Sequence, residues 1–344
     1  MRSEEVRRIQ LTGKTTYIVS LPKRWVSEMG LEAGSQVVVL REGNSLIITP
    51  KELVKPTIKS QEAVLKVSDK DAPDKVVRAI IALYLNGYSS ITVVTSGSQI
   101  TQQQRSTISE LVKRRLVGTE IISDSPREMV LKVLVSYHEL SVASALRRMY
   151  LVASSMLEGA VNALINMDKD LAKNIIELDD EVDRFGFYIV RQLKATVQNS
   201  RVLRDIGLEN PKDCLGYRVI VKFVERAADH AARIAKSTLL LEDKLEDYVL
   251  EKISGMSSFA RSMLEKSMKS LFERNYALAE EVVSEAKKMA LIEEEALKAI
   301  AERFGRMLSP SIKMILEDVR RIGEYSSDIA EVVLNLNVNK LLTT

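Results

Sequence analysis

Two groups of residues in this sequence could do chemistry: acidic pairs in a helical setting, and a knot of basic residues near the N-terminus. Asp179 and Asp183 stand four apart in Leu178-Asp-Asp-Glu-Val-Asp-Arg184, and Glu225 and Asp229 repeat that spacing further along. Four residues is about one helical turn, so each pair shares a helix face. Two such pairs on neighbouring helices can converge on one cation, as carboxylate-bridged metals are held in helical bundles. Hard oxygen ligands suit Mg, Ca or Mn, and iron is a further option. The plainer reading is a solvated acidic face, with Arg233 one turn beyond Asp229 as a salt-bridge partner. His230 adjoins the second pair but is rotated about 100° from it around the helix, which makes it a surface or packing residue.

Over residues 1–26 the basic side chains are Arg2, Arg7, Arg8, Lys14, Lys23 and Arg24, against Glu4 and Glu5, a local excess of +4. The whole chain carries only +3, from 50 basic and 47 acidic residues, so any nucleic-acid site must be local. The alternative is a solvated rim of strand and helix ends.

The elements that must position these groups fall into three stretches. Residues 1–52 alternate and are broken by turns. Strands are expected at Val6–Leu11 and Thr15–Leu21 around Thr12-Gly13-Lys14. A short helix follows from about Lys23 to Met29, capped by Ser20, opened by Pro22 and stopped at Gly30. Gln36–Leu40 and Ser45–Thr49 pair across Glu42-Gly43-Asn44. About 50 residues with four short strands bury too little apolar surface alone, so this module is expected to pair with a second copy. Such a dimer would present its basic field to a duplex with two-fold related half-sites.

Residues 57–136 alternate strands and helices in the order β-α-β-α-β-β, a small α/β sandwich with no usable motif. From Glu139 to Val338 the apolar spacing is helical throughout, and six helices fit. They read as a duplication, 139–240 and 241–340. Met156-Leu157-Glu158 recurs as Met263-Leu264-Glu265, and Ile175-Ile176 as Val282-Val283. Asn210-Pro211 and Ser309-Pro310 open the third helix of each half, and Glu225-Arg-Ala-Ala-Asp229 aligns with Arg320-Arg-Ile-Gly-Glu324. Two tandem three-helix bundles are the economical arrangement. In the second, Ala286 and Ala290 replace the Asp179–Asp183 pair and Arg320 replaces Glu225, so a metal site is expected in the first bundle only. Arg320 and Arg321 instead offer positive charge there, for a salt bridge to Glu317 or Glu324 in the first place, or for a phosphate or partner contact.

The lone cysteine, Cys214, excludes an intramolecular disulfide and reads as a buried packing residue. No apolar run approaches the roughly 20 residues of a membrane helix, and the N-terminus lacks the apolar core of a signal peptide. A cytoplasmic protein without membrane insertion is expected.

Arg8-Ile-Gln-Leu-Thr-Gly-Lys-Thr-Thr-Tyr-Ile-Val-Ser-Leu-Pro-Lys-Arg-Trp-Val, followed by Met29-Gly-Leu-Glu-Ala-Gly-Ser, resembles the AbrB/SpoVT (MazE-like) swapped-hairpin family. It departs at Ser35, where that family usually carries aspartate. The resemblance implies a homodimer through the N-terminal domain and double-stranded DNA as its partner. Arg7, Arg8, Lys14, Lys23 and Arg24 would face the DNA, with Trp25 in the dimer core. The tandem bundles, the Asp-x-x-x-Asp of the second helix and Glu-Arg-x-x-Asp-His-x-x-x-Ile-Ala of the third resemble PhoU, the phosphate-uptake regulator family. That likeness implies a metal held by Asp179, Asp183, Glu225 and Asp229, and phosphate-transport or signalling partners. An AbrB-like start joined to a PhoU-like helical half resembles the archaeal PhoU-type regulators. The expectation is therefore a multidomain α+β DNA-binding regulator of phosphate uptake, and not an enzyme. Two histidines (His138, His230) and one cysteine offer no nucleophile–base arrangement, and no Walker-type phosphate loop occurs. The competing expectations are an adaptor acting by protein contact alone, a metal-dependent phosphatase built on the four carboxylates, and an antitoxin. The long ordered helical half argues against the last.

Overall fold

The computed structural model describes residues 4–42, 44–51, 61–135, 139–198, 202–208, 210–304 and 309–341. Arg2, Gly43 and His138, named above, lie outside them. The chain divides into two compact units, Met1–Ser60 and Gln61–Thr344. The middle region and both helical bundles, which the sequence separates by pattern, thus belong to one unit.

In the first unit β1 (Ile9–Thr12) and β2 (Thr16–Val19) pair antiparallel, with Ile9 opposite Val19. The turn between them uses Gly13 at φ +66°, a conformation that costs a side-chain-bearing residue about 1–2 kcal/mol. Helix α1 (Lys23–Glu28) has Pro22 at its N-cap and no side-chain cap, so Ser20 does not cap it. Proline's fixed φ is enough to launch so short a helix. β3 (Val37–Glu42) pairs with β4 (Ser45–Pro50), Val37 opposite Pro50. Each hairpin is its own two-stranded sheet.

The second unit begins with β5 (Glu62–Val67), α2 (Pro73–Leu85), β6 (Ser90–Thr95), α3 (Gln102–Arg115), β7 (Thr119–Ser125) and β8 (Glu128–Val133), the expected order. The sheet runs β5-β6-β8-β7, with β5 and β6 parallel and the remaining pairs antiparallel. Alternation buries Ile91 and Val93 of β6 and Met129 and Leu131 of β8. Val76, Ile80 and Tyr84 of α2 and Ile108 and Leu111 of α3 complete that cluster. Thr101 and Gln104 form a capping box at the start of α3.

Six long helices follow: α4 (Val142–Asn166), α5 (Lys169–Gln198), α7 (Asp213–Leu240), α8 (Asp247–Phe272), α9 (Tyr276–Phe304) and α10 (Pro310–Leu336), with the short α6 (Val202–Asp205) before α7. α4, α5 and α7 pack together, as do α8, α9 and α10, and the halves meet through α7 against α10 and α4 against α8. The duplication extends to the backbone. Met167 after α4 and Arg274 after α8 both take the left-handed conformation, φ 53° and 51°. The next residue then caps the following helix in each half: Asp168 Oδ1 accepts from Leu171 N at 2.9 Å, and Asn275 Oδ1 from Leu278 N at 3.1 Å. The proline starts are not equivalent. Pro310 opens α10, whereas α7 begins at Asp213, two residues past Pro211.

Candidate functional site

The basic residues of the first unit sit on its turn and helix start. Lys14 is in the β1–β2 turn, Lys23 and Arg24 open α1, and Arg7 and Arg8 precede β1. Arg24 Nε lies 2.8 Å from Glu28 and Arg7 pairs with Glu5. Arg8, Lys14 and Lys23 make no ion pair among the described residues. Many large apolar residues of this unit are open to solvent: Ile9 is 71% exposed, Tyr17 73% and Leu46 69%, while Trp25 is half-buried. Among the described residues the two hairpins leave their outer strand edges unpaired.

In the second unit the four carboxylates lie within electrostatic reach of one another. Asp179 and Asp183 lie on α5, Glu225 and Asp229 on α7, and these helices pack against each other. Burial first, then the charges of Asp229 and Asp183, pushes Asp179 up to about 6. Burial also drives Asp183 up to about 6; the Arg115 guanidinium opposes that rise, while Glu225 and Asp229 add to it. Asp229 is raised by burial and by Glu225.

Mutual repulsion is relieved by cations from inside the chain. Arg115, the last residue of α3, bonds directly to Asp183 and lies 3.6 Å from Asp180. Arg114 reaches Asp180 and Glu177 at 3.6 and 3.8 Å. Lys222 sits 2.5 Å from Glu225. Among the described residues no three Asp, Glu, His or Cys groups stand close enough to share a metal ion. The i,i+4 carboxylates thus share one electrostatic neighbourhood, and the guanidinium of Arg115 stands against it.

Three contacts escaped the sequence. Arg191 of α5 is buried, and its guanidinium donates to the carbonyls of Tyr84, Gly87 (3.1 Å) and Tyr88 (2.9 Å) at the C-terminus of α2. A cation there satisfies orphan carbonyls and the negative end of the helix dipole. Asp318 of α10 is completely buried. His230 Nδ1 donates to its Oδ1 at 2.7 Å, and Arg233 lies 3.2 Å away. Arg233 therefore serves Asp318 rather than Asp229, and His230 is a junction residue with its ring 5.6 Å from that of Tyr325. The one signal for Asp318 was a charge set in the apolar stripe Ile315, Val319, Ile322. Arg320 pairs with Glu293 at 2.7 Å and with Glu324, rather than with Glu317. Cys214 is buried beside Thr196, as expected.

The family model for the PhoU domain matches residues 146–238 and 253–333, just over half of the chain. The chain belongs to the PhoU family. The two PhoU matches coincide with the two helical halves and contain all four carboxylates. Arg115, which occupies Asp183, comes from outside them. A second family model, "Antidote-toxin recognition MazE, bacterial antitoxin", matches residues 10–55. The chain is 26% identical over 208 residues to a "Phosphate-specific transport system accessory protein PhoU homolog" of Clostridium acetobutylicum, covering 57% of this chain and 91% of that one. It is 24% identical over 210 residues to a PhoU homolog 1 of Thermotoga maritima, covering 57% and 86%. In fold it is similar to the crystal structure of PhoU from Pseudomonas aeruginosa, with a TM-score of 0.50 at 22% identity over 58% of this chain and 96% of that one. The PhoU structure from Streptococcus pneumoniae gives the same TM-score at 20% identity. No helix among the described residues is long and apolar enough to cross a membrane.

Proposed function

We propose that this PhoU-family chain is a cytoplasmic, DNA-binding regulator of phosphate uptake rather than an enzyme. The observation that carries it is the state of the first unit. Its strands have open edges and its large apolar side chains face solvent, which a folded module resolves by pairing with a second copy. A two-fold dimer doubles the basic field of Arg7, Arg8, Lys14, Lys23 and Arg24 and matches paired half-sites on a duplex. The relatives' role as phosphate-transport accessory proteins supplies the regulatory theme, with a transporter or signalling protein as the second partner.

In the first helical half, Asp179, Asp183, Glu225 and Asp229 are proposed to take a divalent cation or iron. The burial and mutual repulsion that raise Asp179, Asp183 and Asp229 support this, because a cation removes the repulsion. Arg115 and Lys222 would have to yield their partners to it.

The test is fluorescence anisotropy on duplexes from upstream of the chain's own gene and of nearby phosphate-transport genes, against a scrambled duplex, at two salt concentrations. The expected result is preference for a native duplex, lost in Lys14→Gln/Arg24→Gln. Equal, salt-sensitive binding to all duplexes would reduce the module to a basic surface. No binding at low salt would favour the adaptor reading, in which the first unit serves dimerisation alone.

A further inference from the structure

The junction of the two helical halves carries a basic cleft that the DNA reading does not use and that shares only Asp179 and Asp229 with the metal reading. A cleft of about 400 Å³ runs along α7, lined by Lys222, Arg226, His230, Arg233 and Lys236, with Asp179 of α5, Asp229 and Tyr325 of α10 on its walls. Four cations face two carboxylates there. Lys222 is engaged by Glu225 and Arg233 by Asp318. Arg226 and Lys236 make no ion pair among the described residues; Arg226 lies only over the Tyr325 ring, at 5.8 Å.

Behind the cleft, Asp318 is fully buried and its Oδ2 has no hydrogen-bond partner. A half-satisfied buried carboxylate is costly, so it needs a reason. Its contacts supply one, because they anchor two cleft residues from the facing half. Asp318 holds Arg233, and it accepts the hydrogen bond of His230 Nδ1, which leaves Nε2 as the other ring nitrogen of that residue. The basic character is for the most part not a property of the repeat. Lys222, Arg233 and Lys236 correspond on α10 to Glu317, Asp328 and Glu331, of opposite charge, while Arg226 keeps its charge as Arg321.

We propose that this cleft binds hydrogenphosphate, free or as the terminal group of a phosphorylated small molecule. Arg226, Arg233 and Lys236 would pair with its oxygens as charge-assisted donors. Asp179, Asp229 or His230 Nε2 would accept a hydrogen bond from its P–OH. The two carboxylates, which the metal reading also uses, set the choice of anion here. They reject a fully ionised oxyanion such as sulfate and tolerate one that still carries a proton, so they give selectivity by repulsion. The proposal rests on the phosphate-regulator reading for its choice of anion.

Isothermal titration of the full-length, EDTA-treated protein with phosphate, sulfate and ATP at neutral pH tests it. One phosphate site per chain is expected, with sulfate at least about tenfold weaker. Arg226→Gln/Lys236→Gln should weaken phosphate about tenfold or more through two lost charge-assisted contacts, while Arg226→Lys/Lys236→Arg keeps most of the affinity. Both side chains are exposed, so an unchanged circular-dichroism melt verifies folding. Asp179→Asn/Asp229→Asn should bring the phosphate-to-sulfate ratio toward one. ATP binding tighter than phosphate would support the proposal and assign the site to a phosphorylated compound. No saturable phosphate heat, equal sulfate affinity in the unaltered protein, or an unchanged isotherm in the double Gln variant would overturn it. Operator preference is read on separate DNA, so loss of either result leaves the other standing.

Discussion

The two helical halves share a backbone plan and use it differently. At one matched position the first half has Gly159 and the second Lys266. A Cβ on Gly159 would stand 2.4 Å from Ile175 Cδ1, so glycine lets α4 close directly onto α5. Lys266 instead bridges α8 to α9 through Glu281 and Glu285, both at 2.7 Å. At another, α5 carries Arg191, buried in the end of α2, where α9 carries the exposed Lys298. At a third, Asp179 and Asp183 face Ala286 and Ala290. The first half has partners to serve: the middle region, the carboxylate cluster and the cleft. The second closes several of its pairs on itself, as Arg320 does with Glu293 and Glu324, and reaches across mainly through Asp318. A duplicated frame can thus keep its packing while only one copy keeps chemical options open.

The largest contrast should come from Arg191→Met against Lys298→Met. Removing a buried guanidinium that satisfies three carbonyls is expected to lower stability by about 2–4 kcal/mol, and hydrogen exchange should quicken first in α2. The Lys298 change, on an exposed helix face, should stay within about 0.5 kcal/mol.

The acidic cluster should give an intermediate effect. Carboxylates held near 6 bind protons in the folded chain that the unfolded chain, near 3.8, has already released. Their contribution therefore favours the folded state below about pH 4 and is lost as pH rises through about 6. Asp179→Asn/Asp183→Asn should flatten the melting temperature between pH 4 and 6.5 in EDTA and raise it at pH 7; a steeper profile would contradict the repulsion described. Arg115→Gln sharpens the same point. With the guanidinium gone, metal retained after gel filtration should increase, and equal metal in both proteins would remove Arg115 as a competitor.

Arg320→Gln in the second half should be the smallest effect, about 1 kcal/mol or less, because the pairs it breaks are partly exposed. A loss comparable to that of Arg191 would mean that the pairs of Arg320 secure more than the second half's own packing.

Much of this was legible in the chain. Strand alternation and the prolines and glycines at element ends placed the middle region's order and the six long helices, because local sterics and one-sided burial leave a periodic trace. The i,i+4 carboxylates were visible because helical spacing alone makes them neighbours. What stayed hidden was contact across long separations. Arg115 on Asp183, Arg191 on α2 and Asp318 under His230 join elements whose relative placement no local pattern encodes. Arg233 shows the cost: helical spacing offered it Asp229, and tertiary packing gave it Asp318. Capping at Ser20 and Pro211 failed for a smaller reason, since several nearby residues can start a helix and backbone geometry selects among them.

The Arg191 contact also changes what the middle region is. Among relatives that span only the helical halves, residues 61–135 would look like an insertion that could be removed. Here a charged side chain from the longest helix is buried in that region's α2, so its deletion would strand a guanidinium in an apolar surface. The region and the helical halves should melt together, in one calorimetric transition for residues 61–344. The joint between the middle region and the helical halves is part of the core, and only the first unit should behave as a detachable module.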